Sequence, residues 1–249
     1  MVSRFLLLSG FLLAFSSCKQ EKITPTKSPN YFESYRLYLW STLEQNQWHV
    51  DFVGTRYDDF EYPGSLNTTF DRNHEGVSGS VSRDVYHNLD IVMLLTGLPD
   101  VVLLGIGGND LANGRTVNQT ANTINNIIDK IQLYNPNATI FVEQIAPPRR
   151  GSFDQQLMNK VRNLNAAIAV LAQLQTDQSS RVIAVDMYTD WQDSYLSDNI
   201  HYSVIGAKEV AERYYEQMRH NLHPLLPYRI LTLGDSRVEG RREKRHTGL

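Results

Sequence analysis

Residues 230–240 read ILTLGDSRVEG. An apolar run reaches Gly234, Asp235 and Ser236 follow, and the segment then turns charged. That is the profile of a buried strand emptying into a polar turn, with a serine standing at the turn. Ser236 has two readings here: a nucleophile at a strand end, or a cap on a following helix.

Working outward, the same profile recurs. PDVVLLGIG (99–107) holds a continuous apolar run, as a strand covered on both faces would. ATIFVEQI (138–145) and RVIAVD (181–186) repeat it, and WHVDFVG (48–54) alternates into a glycine. Five strands are therefore expected, at 48–53, 101–105, 139–143, 182–185 and 229–233. Helical spacing fills the intervals. Phe32, Tyr35, Leu39, Trp40 and Leu43 share one face, and a helix begins near Ser82. Ile124, Ile127, Ile128 and Ile131 form a stripe, as do Leu157, Val161, Leu164, Ile168, Leu171 and Leu174. Val210, Tyr214 and Met218 point inward from a further helix. Residues 55–80, rich in Gly, Asp, Asn and Ser, read as one long loop, and long loops are often functional. Strand and helix in alternation argue for an α/β fold: a mostly parallel sheet with helices on both faces, a three-layer α/β/α sandwich.

The chain has 249 residues and is 41% hydrophobic, enough for one domain with a full core. A formal net charge of -3 and the lack of a broad basic stripe give no reason to expect nucleic acid. The basic stretch EGRREKRHTGL at 239–249 is short and reads as a solvated tail. At the other end Arg4 precedes an apolar run from Phe5 to Phe15, then Ser16, Ser17 and Cys18. The run is short for a membrane span and reads as an export signal over residues 1–18. Cys18 is the only cysteine, so no intramolecular disulfide forms. The stretch resembles a bacterial lipoprotein signal, which implies a lipid on Cys18 and a periplasmic or outer-membrane protein. A plain signal peptide with an incidental cysteine is the alternative. Residues 19–30, polar and with two prolines, read as a tether, leaving 31–249 as a single domain.

In open sheets of this kind ligands bind beyond the carboxyl ends of the strands. Four segments belong there or reach it: GDS (234–236), HEGVSGS (74–80), GIGGNDL (105–111) and DNIH (198–201). Asp198 and His201 are spaced so that the carboxylate could fix the imidazole tautomer, although the same pattern suits a surface turn. Gly107 and Gly108 permit a tight turn that would let Asn109 present an N–H to an oxyanion, with Asp110 holding the loop. No Cys/His cluster suggests zinc and no GxxxxGK[ST] suggests a nucleotide, so no cofactor is expected. Serine, histidine with a nearby carboxylate, and glycine and asparagine donors together make up the inventory for acyl transfer.

At this point the chain resembles the SGNH hydrolases, or GDSL esterases, over essentially Tyr31 to Gly240. GDSRVEG matches their first block, HEGVSGS their second, GGND their third and DNIH their last. The resemblance implies Ser236 as nucleophile and His201 and Asp198 as base and orienter. It implies an oxyanion hole from Gly79, Asn109 and the Ser236 N–H. It also implies a flavodoxin-like sheet and a small-molecule ester as substrate, with acetylated carbohydrate the first choice. A lysophospholipase or thioesterase would use the same residues, and a catalytically weak surface-binding protein would share the fold. Trp40 at helical spacing reads as core; Trp191, near DNIH, is the better candidate for a sugar surface, although packing is the leading reading for it too. In the family the serine block comes first, but here it comes last, and SYRLYLWSTL, which usually follows it, begins at Ser34. That order resembles a circular permutation.

Overall fold

The computed structural model describes residues 34–60, 62 and 69–240. The expected export signal, Cys18, the tether, Phe32 and residues 241–249 lie outside the described residues. Helix α1 (Arg36–Gln45) leads into strands β1 (His49–Val53), β2 (Arg56–Tyr57) and β3 (Asn73–Gly76). Next come α2 (Ser82–Thr96), β4 (Val101–Gly105), the short α3 (Gly108–Ala112), α4 (Val117–Tyr134) and β5 (Thr139–Gln144). The chain continues through α5 (Gln155–Gln175), β6 (Arg181–Asp186), α6 (Val204–Asn221), β7 (Pro227–Gly234) and α7 (Ser236–Glu239).

The strands form one seven-stranded sheet in the order β2-β3-β7-β4-β5-β6, with β1 also pairing β7. All five expected strands are in it and run parallel. The expectation of about five strands is corrected by β2 and β3, which lie in the stretch read as loop and pair antiparallel. β7 is central. Its first half pairs with β1 and its end with β3, while β4 runs along its other edge.

Side-chain alternation divides the core in two. Val101, Leu103, Phe141 and Ile230 face one side, where α1 and α6 pack with Leu39, Leu43, Val210 and Tyr214. Val102, Leu104, Val142, Leu231 and Leu233 face the other, under α2, α4 and α5 with Leu89, Ile124, Ile128, Leu164 and Ile168. The result is three layers, and β4 is buried at all five positions because helices cover both its faces. The α5 stripe is shorter than its spacing suggests. Val161, Leu164 and Ile168 are buried, Leu157 and Leu171 are partly so, and Leu174 at the last turn is 80% exposed. Local signals set the helix starts. Thr116 and Gln119 close a capping box on α4, and Asp154 Oδ1 accepts the Leu157 N–H at 2.8 Å.

Two buried charged residues hold the layers in ways no hydrophobic pattern encodes. Arg36, fully buried, donates from Nε to Val238 O at 2.9 Å and from Nη2 to Glu239 O at 2.9 Å and Asp58 Oδ2 at 3.0 Å. Ser34 Oγ also donates to Val238 O, at 2.7 Å, so the start of α1 is fastened to α7. Glu143 sits inside β5 and accepts the Tyr214 hydroxyl at 2.7 Å. Burial pushes its carboxyl up from 4.5 to about 7, against the lowering effect of the Tyr214 bond and of Arg237.

Arg36→Met leaves the Asp58 carboxylate buried without its guanidinium, and is expected to cost about 3–5 kcal/mol in urea unfolding. A loss under about 1 kcal/mol would show that the pair holds nothing. For Glu143 the folded chain keeps a proton that the unfolded chain has already released. Stability is therefore expected to fall as pH rises from about 4.5 to about 7, and Glu143→Gln to remove that part of the fall. Parallel unfolding-against-pH curves for parent and variant would contradict the burial argument.

Candidate active site

Three glycines make room at the carboxyl edge of the sheet. Gly76, Gly234 and Gly105 stand side by side in register across β3, β7 and β4. A Cβ on Gly234 would lie 2.1 Å from Gly105 O, and one on Gly76 would lie 2.3 Å from the backbone N of Glu239. A side chain at Gly76 would push α7 off the sheet, and one at Gly234 would strike the β4 backbone first and Val238 of α7 next, at 2.7 Å. With the glycines in place the chain leaves β7, turns at Asp235 and starts α7 at Ser236 directly above them. Asp235 Oδ1 caps the helix by accepting the Arg237 N–H at 2.9 Å, and burial holds its carboxyl above the ordinary carboxylate value.

The loop after β6 brings Asp198 and His201 to the same edge. His201 Nε2 lies 3.0 Å from Ser236 Oγ, and its Nδ1 lies 2.7 Å from Asp198 Oδ2. Asp198 Oδ1 accepts the backbone N–H groups of Ile200 at 2.8 Å and His201 at 2.6 Å. Desolvation raises the Asp198 carboxyl, but the bonds from His201 and Ile200 outweigh it and hold the group down to about 2. The carboxylate is thus charged across the neutral range, and its second oxygen is fixed on the imidazole.

The loop after β4 places Asn109 at the start of α3, with Gly107 before it at φ 116. Asn109 Nδ2 donates to Ser80 O at 2.9 Å. Asp110, fully buried, accepts from the Ser82 N–H at 2.7 Å and its hydroxyl at 2.6 Å, so it does hold this loop, against α2. Gly79 lies in the 77–80 turn, exposed and at φ 80. That turn is fastened by the Val77 N–H to Gly234 O at 3.0 Å and by the Asn109 bond to Ser80.

Ser236 opens onto a cavity of about 680 Å³, counting its open mouth. Asn109, Asp235 and Arg237 line it near the serine, and Ile106, Ile145, Phe153, Leu157, Val161 and Ile200 make its apolar wall. Gly79 is outside this lining. So is Trp191, which packs edge-on to Tyr195 at 5.2 Å and tilted on Tyr202 at 5.5 Å. The aromatic side chain at the cavity is Phe153 instead, and Trp40 and Trp48 are core.

Several residues of the site escaped the sequence reading. Asn165 on α5 accepts the Ile145 N–H at 2.7 Å and donates to Ile145 O at 3.0 Å, which fixes the chain leaving β5. Arg149 and Arg237 donate to carbonyls around Asp198 and His201. Glu143 had a visible signal, a lone carboxylate directly after the apolar run Ile140, Phe141 and Val142 of β5. Among the described residues there is no cluster of three or more His, Cys, Asp or Glu placed to hold a metal ion. None of their helices is long and apolar enough to cross a membrane.

The chain is also similar to known proteins. A curated protein of Acetivibrio thermocellus named "Putative endoglucanase X" is 32% identical over 126 residues, 49% of this chain and 51% of its own. The chain thus spans about half the length of that relative. The solved Clostridium thermocellum family 3 carbohydrate esterase is 28% identical, with a TM-score of 0.63 over 78% of this chain and 90% of that one. A carbohydrate esterase family 3 structure from Talaromyces cellulolyticus, 22% identical, shares the fold with a TM-score of 0.67 over 76% and 90%. Residues 48–208 match the GDSL-like Lipase/Acylhydrolase family, and that match covers well over half of the chain. The chain belongs to the GDSL-like lipase/acylhydrolase family of esterases and lipases.

Proposed function

We propose that this protein hydrolyses carboxylic esters of small acyl groups through Ser236, His201 and Asp198. The carrying observation is the continuous path from Asp198 through His201 to Ser236 Oγ, with contacts of 2.7 and 3.0 Å. His201 Nε2 takes the hydroxyl proton as Oγ attacks the ester carbonyl. The negative charge passes to the carbonyl oxygen, which meets the Ser236 N–H and the Asn109 amide, while the Gly79 N–H, outside the cavity lining, is the third donor that the family resemblance implies. The imidazolium, steadied by Asp198, gives its proton to the departing alcohol and leaves an acyl-serine. Water then loses a proton to His201, attacks the acyl carbon and releases the acid, and Ser236 regains its proton. Every proton in this cycle is carried by a side chain or water.

Acetylated carbohydrate is the substrate class we favour, on the likeness to the 28%-identical family 3 carbohydrate esterase. One observation favours a second reading. The cavity wall of Ile106, Ile145, Phe153, Leu157 and Val161 is hydrocarbon, which suits a longer acyl chain as in a lysophospholipase or thioesterase. Hydrolysis of p-nitrophenyl acetate is expected, and Ser236→Ala should lower it by roughly 10⁴-fold or more. Full activity in purified Ser236→Ala would remove the nucleophile assignment. A p-nitrophenyl series from acetate to octanoate separates the two substrate readings: the favoured one requires acetate to give the highest kcat/KM.

The serine block's place at the chain's far end fits a circular permutation. The family match ends at residue 208, ahead of Ser236. A Cβ on Gly240 would lie 2.7 Å from the backbone N of Ser34, so the two segments abut. Counted from the serine strand and leaving out the four-residue β3, the parallel strands β1-β7-β4-β5-β6 fall in the order 2-1-3-4-5, the flavodoxin-like order. Moving residues 227–240 ahead of Ser34 is expected to give a folded, active esterase. An insoluble product would speak against the permutation. Export, with a lipid on Cys18, is the placement that residues 1–18 support.

A further inference from the structure

We infer that Arg237 is a positioning residue that keeps His201 in register with Ser236, an inference that rests on Ser236 and His201 being the reacting pair. Arg237 follows the serine directly and reaches across to the histidine loop. Its Nε donates to Ile200 O at 2.8 Å, one residue before His201. Its guanidinium carbon lies 5.2 Å from the ring centroid of Tyr202, one residue after. Its Nη1 donates to Ala146 O at 3.0 Å, in the segment leaving β5. One planar group thus touches both chain neighbours of the base and a third segment, while its own backbone carries the nucleophile.

The loop needs such a brace. Between β6 and α6 it has no strand pairing except the Leu196–Tyr202 bridge and one three-residue 3-10 turn, Asp193–Tyr195. Its own bonds, among them Ser197 N–H to His201 O and Ser203 N–H to Tyr195 O, both at 2.9 Å, are supplemented by donors from outside. Arg149 supplies one set, from Nε to Asp198 O at 3.0 Å, Nη2 to Leu196 O at 2.9 Å and its own N–H to Asn199 O at 2.8 Å. That clamp ties the loop to the segment after β5, not to the serine. Arg237 alone of the two belongs to α7, a helix of only four residues, and so couples the serine's helix to the base. The fork geometry matters, because a guanidinium reaches two carbonyls in fixed directions while lysine presents one mobile ammonium. A shift of about 1 Å between reacting groups is worth on the order of 100-fold in rate.

The test is steady-state p-nitrophenyl acetate hydrolysis by parent, Ser236→Ala, Arg237→Lys and Arg237→Ala, with unfolding midpoints for each. Arg237→Ala is expected to lose kcat by about 10- to 100-fold with KM nearly unchanged. Guanidinium chloride at non-denaturing concentration should restore part of that loss, by occupying the vacated position. Arg237→Lys, which keeps charge and stem, should fold as the parent does yet fall between parent and alanine variant in kcat. The inference is overturned if either variant, folded, keeps kcat within about twofold of the parent. It is also overturned if kcat falls only together with the unfolding midpoint and guanidinium restores nothing. Parent-level activity in Ser236→Ala would instead overturn the reacting pair, and this inference with it.

Discussion

The side-by-side placement of Gly76, Gly234 and Gly105 is the constraint on which the site depends. Backbone pairing on both edges of β7 puts the three in register; bare Gly76 and Gly234 let α7 rest on the sheet, and bare Gly105 leaves room for the Glu143 carboxyl. Ser236, the proposed nucleophile, is therefore placed by a strand paired on both edges and not by a loop. His201, the proposed base, arrives from β6, two strands beyond β4 in the sheet, so its loop has to be reached and held from several sides. Such a division is economical. One partner of the pair is fixed by a rigid scaffold, and only the other needs dedicated side chains to aim it.

Electrostatics follow the same division. Asp198 is kept charged by hydrogen bonds that outweigh its desolvation, so it serves as a fixed anion facing the imidazole. Beneath the serine, Glu143 and Asp235 are both pushed toward the neutral form by burial. Asp198 is thus the carboxylate held charged where an imidazolium would form, which would favour proton transfer from the serine.

Much of this was legible in the sequence because it is written in period and spacing. A strand covered on both faces has to read as VVLLG, and Asp198 and His201 sit three apart because a single turn joins them. What was missed has no period. β2 and β3 are two and four residues long, and residues Arg56, Tyr57, Asn73, His74 and Glu75 carry no apolar alternation. Arg36, Asn165 and Arg237 act on backbone carbonyls or amides far away in the chain, and any donor of suitable reach leaves the same trace in sequence. Trp191 shows the opposite case, since packing, its leading reading, is the role it has. Nearness to His201 along the chain does not mean nearness to the cavity, and its ring found Tyr195 and Tyr202 before it found the opening.

The position of β7 in chain order has a consequence for how the molecule is made. A ribosome emits β1, β3 and β4 long before the strand that joins them, so the growing chain carries two sheet halves with open backbone edges facing an empty slot. The closing contacts span most of the domain, which makes closure slow and leaves those edges open to pairing with other chains meanwhile. β7 then enters as a wedge with both edges paired at once, and the active site is completed in the same event, since Ser236 arrives with it. Until that moment the nascent protein contains the proposed base and its carboxylate but not the proposed nucleophile, so on that reading its chemistry begins only once β7 has joined the sheet.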